Sequence, residues 1–137
     1  MRIYKQIKQD IVGMARVGFT SDRFEIYVNT NDGGKIPHFH YRNATDWNKF
    51  HTCIRIDKAE YFIHDGKEDI LNTRQLRNLY RFLKSDVVIP RYKNKFKNNY
   101  ELICFLWDLN NSDIQLPEDI QMPDYLHERY WCSKINN

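Results

Sequence analysis

A chain of 137 residues is long enough to bury a core as one compact domain without disulfide or metal staples, so a single domain spanning 1–137 is the expectation. Apolar residues at 42% and charged residues at 28% place it among globular proteins, and 15% aromatics supply more ring area than usual. A net charge of +3 falls short of the excess that a dedicated duplex DNA binder carries, and three separated cysteines without a CxxC pair speak against a disulfide framework or a cysteine zinc cluster.

In chain order, Ile3, Ile7 and Ile11 recur with polar residues between them, which allows a short amphipathic helix before Gly13. The stretch Met1–Lys8 lacks the apolar run of a secretory signal, and no segment approaches membrane-spanning length, so a cytoplasmic protein with reduced thiols is expected. From Ala15 the period shortens to two. Val17 and Phe19 lead into Thr20-Ser21-Asp22, after which Phe24, Ile26 and Val28 alternate with polar or tyrosyl neighbours, the pattern of a hairpin. Asn29 to Gly34 is rich in residues that tolerate positive φ and turns the chain into Ile36-Pro37-His38-Phe39-His40-Tyr41. A polar connection, Asn43 to Lys49, precedes a run from His51 to Asp57, and Ala59 to His64 forms a fourth alternating run ended by Asp65-Gly66.

Asn72 followed by Gln75 has the form of an N-cap and its reciprocal partner, preceding Leu76, Leu79, Tyr80 and Leu83 at helical spacing. A second helix is expected over about Asn99 to Leu109, with Leu102, Ile103, Leu106 and Leu109 as its stripe. The tail, with Pro117 and Pro123, reads as irregular chain whose apolar residues pack over the core. The fold class that follows is α+β: an antiparallel sheet of about four to five strands with two or three helices packed on one face.

Strand alternation then sorts the chemistry. If Phe24, Ile26, Val28, Phe39, Tyr41, Ile54 and Ile56 lie under the helices, the opposite, solvated face collects His38, His40, Arg42, His51, Cys53, Arg55 and Asp57, with Glu60 and His64 if the fourth strand keeps register. Three uses of that face are open. It can be ordinary wet sheet surface; it can be an anion site in which Arg42 and Arg55 fork onto an oxyanion; or it can be a site for zinc or another divalent metal. In the last, His38 and His40 are ligands, the third is His64 or, in its place, His51, and Asp57 or Glu60 activates water. Cys53, two residues from His51 on the same face, is about 7 Å from it along a strand and reads as a half-buried structural cysteine.

Arg91-Tyr92-Lys93-Asn94-Lys95-Phe96-Lys97-Asn98-Asn99-Tyr100 is the second feature. If extended, Arg91, Lys93, Lys95 and Lys97 line one side, while Tyr92, Phe96 and then Tyr100 offer rings, as single-strand binders do; otherwise it is a solvated loop whose rings pack down.

From Pro37 to Leu83 the chain resembles a bacterial and phage mobile-element family of unknown function. The residues that carry the likeness are Pro37-His38-Phe39-His40, Phe50-His51-Thr52-Cys53-Ile54, Ala59-Glu60-Tyr61-Phe62-Ile63-His64 and the helix opened by Leu71-Asn72, with Trp107–Asn111 and Met122–Tyr125 similar to longer members. Some short relatives sit in toxin–antitoxin-like cassettes. The resemblance implies an α+β domain with His38 and His40 as distinctive positions, and it assigns no activity. The function expected is an accessory interaction protein with no cofactor, binding a protein or nucleic-acid partner through His38, His40, Arg42 and Arg55 and through Arg91, Lys93, Lys95, Phe96 and Lys97. The alternatives are a metal-dependent hydrolase or nuclease using the His38/His40 pair, and a purely structural subunit.

Overall fold

A computed structural model describes residues 14–29, 36–111 and 114–126; the helix expected over Ile3–Ile11 lies outside them. Four strands, β1 (Met14–Phe19), β2 (Phe24–Asn29), β3 (His38–Asn43) and β4 (His51–Arg55), form an antiparallel sheet in the order β1-β2-β3-β4. Two helices follow, α1 (Thr73–Lys84) and α2 (Asn99–Asn110), so the architecture is α+β as expected. No helix among the described residues is long and apolar enough to cross a membrane.

Local chemistry sets each boundary. Between β1 and β2, the Thr20 carbonyl accepts from the Arg23 amide at 3.0 Å while the Thr20 hydroxyl donates to Asp22. Asn43 ends β3 by accepting, through its side-chain oxygen, hydrogen bonds from the Thr45 and Asp46 amides. Asn72 and Gln75 form the reciprocal cap anticipated for α1, each side chain accepting the other's amide at 2.8 Å. Asn98 caps α2 by accepting from the Glu101 amide at 2.9 Å.

The register shows what the core is. Ile26 lies opposite Tyr41 and Tyr41 opposite Thr52, while Phe39 lies opposite Ile54, so apart from Thr52 this face is apolar or aromatic. Ile26, Val28, Phe39, Tyr41, Ile54 and Ile56 are all fully buried there. Phe82 of α1 reaches this face at Gly18. Residues of α2 and its C-cap mark successive strand ends: Tyr100 donates to the Ile56 carbonyl after β4, the Trp107 ring stands 5.5 Å from His38 at the start of β3, and the C-cap Asn111 donates to the Asn29 carbonyl at the end of β2. Thus α2 crosses the end of the sheet at which β3 begins. In the tail, Tyr125 is buried and its hydroxyl donates to the Arg55 carbonyl at 2.6 Å.

Gly18 sits at an irregularity in the β1–β2 register with φ +158°, and a Cβ there would meet Phe82 Cε1 at 3.0 Å. Gly18→Ala is therefore expected to cost about 1–3 kcal/mol, read as a lowered denaturant midpoint at unchanged slope. A neutral result would mean that the Phe82 ring turns aside without loss.

The run Ala59–His64 is not a fifth strand. Its backbone pairs with β4 only at an isolated bridge, Ile54 with Tyr61, and a second bridge beyond a loop joins Thr52 to Glu68. The chain bulges out between them and turns at Asp65 and Gly66, which have φ +52° and +74°, and the Lys67 amide closes the turn on the His64 carbonyl. That excursion swings His64 back over the sheet.

Candidate metal centre

The face opposite the core carries the residues that alternation assigned to it. Tyr27 lies opposite His40 and His40 opposite Cys53, with Arg42 opposite His51 and His38 opposite Arg55. Imidazoles 38, 40, 51 and 64 gather there: ring centroids are 5.2 Å apart for His38–His40 and His38–His64, 5.3 Å for His40–His51 and 6.2 Å for His40–His64.

The face is not wet, which corrects the expectation of a solvated surface. His38, His40 and Cys53 have no exposed area, and Arg42 retains 4%. The Phe62 ring stands 4.7 Å from His38, Tyr27 stacks on His40 at 4.5 Å, and the Arg42 guanidinium lies between Tyr27 and Trp47, 4.2 and 3.6 Å from their ring centres. In this structure His38, His40 and Arg42 cannot serve as a contact surface for a macromolecule.

At the centre is Cys53. Its Sγ lies 3.2 Å from His64 Nε2 and 3.3 Å from His40 Nδ1, and one donor atom from each of His38, His40 and Cys53 falls within 4.8 Å of the others. In a tetrahedral zinc site, bond lengths of about 2.0–2.1 Å to nitrogen and 2.3 Å to sulfur place neighbouring ligand atoms about 3.3–3.6 Å apart. The Cys53 contacts are close to that edge length.

Outer partners orient the rings in the same sense. His38 Nδ1 lies 2.8 Å from the Ile36 carbonyl, so Nδ1 carries the proton and Nε2 the lone pair. His64 Nδ1 lies 3.1 Å from Asp65 Oδ2, which by the same reasoning leaves Nε2, the atom facing Cys53, as the donor. Carbonyl and carboxylate partners of this kind are what metal-bound histidines ordinarily have. The Asn29 amide, 3.3 Å from His40 Nε2, serves either tautomer of that ring by flipping. His51 Nε2 lies 3.1 Å from His40 Nδ1 and 3.2 Å from the Tyr27 hydroxyl. Burial first, and then the neighbouring His40, Lys67 and Arg42, depress its pKa to about 3, so it is neutral at physiological pH.

No family model, curated protein or solved structure matches this chain. The reading of the site therefore rests on its own chemistry.

Several expected roles change. Asp57 and Glu60 do not approach the cluster as bases; Asp57 takes the Arg55 guanidinium through two contacts of 2.9 Å, and Glu60 lies 3.4 Å from its third nitrogen. Arg42 Nε donates to Glu25 at 2.7 Å. Both guanidinium groups thus face carboxylates, and the proposed oxyanion fork is lost. In the 91–97 segment, which is a series of turns with Asn94 at φ +67°, Tyr92 is buried and Phe96 packs 5.0 Å from Phe105. The rings turn inward, leaving Lys93, Lys95 and Lys97 exposed.

Proposed function

We propose that this protein is a transition-metal-binding interaction protein, in which Cys53 Sγ, His40 Nδ1, His64 Nε2 and His38 Nε2 hold one ion of the zinc class. The observation that carries this reading is the thiol flanked at 3.2 and 3.3 Å by imidazole nitrogens from two different parts of the chain. A mixed thiolate and imidazole donor set suits zinc among the common cellular metals. With His51 neutral beside the cluster, a fourth imidazole lone pair supports either the ion or the ring of His40.

The donor count favours a structural or sensing centre over a hydrolase. Catalytic zinc keeps one coordination position for water or substrate; here His38, His40 and Cys53 are the mutually close donors, and His64 Nε2, 3.2 Å from the thiol, would complete the tetrahedron by closing in on the ion. Full burial of His38, His40 and Cys53 supports the closed form. On this reading the ion fixes the uncapped side of the sheet, and a partner is recognised elsewhere on the surface. Membership of a mobile-element system rests on the resemblance over Pro37–Leu83 and is tested by the neighbouring genes; residence in the cytoplasm rests on three separated cysteines that suit a reducing compartment, and is tested by fractionation of the native host.

The deciding experiment is elemental analysis of untagged protein with cobalt substitution. About one zinc per chain, and a cobalt form with thiolate charge-transfer absorption that disappears in Cys53→Ser, are expected; His38→Ala should lower the metal content. Protein that takes up no zinc or cobalt at micromolar concentrations, or a cobalt spectrum unchanged by Cys53→Ser, would leave the cluster as a buried hydrogen-bond network.

A further inference from the structure

We infer that the outer face of α1, continued by the lysines that precede α2, is a docking surface for single-stranded nucleic acid. Between residues 73 and 97 the chain has eight Lys or Arg and one acid, Asp86, a net +7 within a protein whose total is +3. The rest of the chain is therefore net acidic, and the positive charge is concentrated in α1 and the segment leading to α2.

On α1 the cations form a stripe. Arg74, Arg77, Arg81 and Lys84 are exposed and recur at spacings of three and four, so they share the helix side away from buried Leu76, Leu79 and Leu83. The helix dipole favours Arg81 and Lys84 in the last turn but not Arg74 in the first, and the like-charged neighbours at those spacings repel one another, so helix stability does not account for the row as a whole. The helix contains no Asp or Glu, and among the described residues none of the four is ion-paired with a carboxylate. A row of unneutralised cations on a rigid element is the electrostatic complement of a phosphate backbone.

A groove of about 520 Å³ lies along this stripe, lined by Arg77, Tyr80, Arg81, Lys84, Ser85 and Leu126. Its size is that of a small-ligand site. Tyr80 supplies a partly exposed ring, with Lys84 Nζ 5.0 Å from its centre. Cations for the backbone around a ring for a base are the two elements of sequence-tolerant single-strand binding. The second basic group adjoins it: Asn99 donates through its backbone amide to the Ser85 carbonyl and through its side chain to the Phe82 carbonyl, tying the chain that carries Lys97 to the C-terminal end of α1. This surface is separate from the metal cluster, and neither reading depends on the other.

The test is fluorescence anisotropy of the full chain against a labelled oligothymidylate over a salt series. Binding at low salt that weakens linearly in a log–log plot is expected. Arg77→Gln/Arg81→Gln should cut affinity at least tenfold and reduce the slope by roughly 1.4, about 0.7 per lost phosphate contact. Tyr80→Leu should weaken binding about tenfold while leaving the slope in place. The equal charge change Lys49→Gln/Lys58→Gln, made at exposed positions off the stripe, should leave both quantities nearly unaltered. No salt-dependent binding, a stripe variant that behaves like the control, preference for duplex of equal length, or binding only to phosphatidylserine vesicles would each overturn the inference. Should the double variant misfold, Arg77→Gln alone is read in the same way, with half the slope change.

Discussion

Glu25→Ala is expected to destabilise the protein by about 3–5 kcal/mol, because it strands a buried guanidinium. Arg42 and Glu25 keep only 5% and 2% of their side-chain surface and meet at 2.7 Å, so removing the carboxylate leaves a charge that water reaches poorly. The rings of Tyr27 and Trp47 on either side of Arg42 soften the loss without replacing the anion. Arg16 also contacts Glu25 but is 54% exposed, so Arg16→Ala should change stability by no more than about 1 kcal/mol. Replacing both buried partners, Glu25→Met with Arg42→Met, should recover most of the Glu25→Ala deficit, since no charge is then left buried. Urea unfolding of the four proteins separates these terms. A Glu25→Ala loss below about 1 kcal/mol would show that Arg42 swings to solvent and that its enclosure contributes little.

Zinc is expected to raise the unfolding free energy by about 4 kcal/mol when its free concentration exceeds the dissociation constant a thousandfold. Cys53→Ser and His64→Ala should abolish most of that increment, whereas Cys104→Ser, remote from the cluster, should retain it. Acid acts in the opposite direction. An unfolded imidazole takes up a proton near pH 6.5, while folded His51 resists protonation until about pH 3. Between those values the unfolded chain binds the extra proton, so stability contributed by neutral His51 is complete above pH 6.5 and is lost as pH falls toward 3. His51→Gln should flatten that part of the metal-free protein's pH–stability curve, and a curve unchanged by the substitution would assign the acid sensitivity to other groups. Metal-loaded protein should lose its ion in the same acidic range, because protonation competes with coordination.

Much of this arrangement is legible in the residues. Period-two alternation placed Ile26, Phe39, Tyr41 and Ile54 on one side and His38, His40, Arg42 and Cys53 on the other, and the Asn72–Gln75 spacing marked the start of α1. Alternation, however, separates two faces without saying which is open to water. The histidine face is closed over His38 by long-range contacts, from Phe62 after β4 and from Trp107 of α2, that no local pattern contains. The surroundings of Cys53 are hidden from the sequence for a related reason. Its neighbours along its own strand are too far for contact, and its true neighbour, His40, lies across the hairpin. A hairpin folded between Asp46 and Trp47 pairs His40 with Cys53, but one centred on Asp46 would pair it with Thr52 on the other face, and the polar connection Asn43–Lys49 does not decide between them. His64 joined the site through a bulge in place of the expected strand, so its position depends on the turn at Asp65 and Gly66. In the 91–97 segment the cations were visible but the inward packing of Phe96 on Phe105 was not. The basic side of α1 becomes evident only when the helix is seen with its apolar side occupied.

All the proposed donors lie between positions 38 and 64, on two adjacent strands and the bulge that follows. Bringing them together closes only short loops, so the chain-entropy cost of assembly is small and largely independent of α1 and α2. A nascent chain emerging from the ribosome would have every ligand available before either helix is synthesised, which makes this hairpin a natural early nucleus onto which the later segments dock.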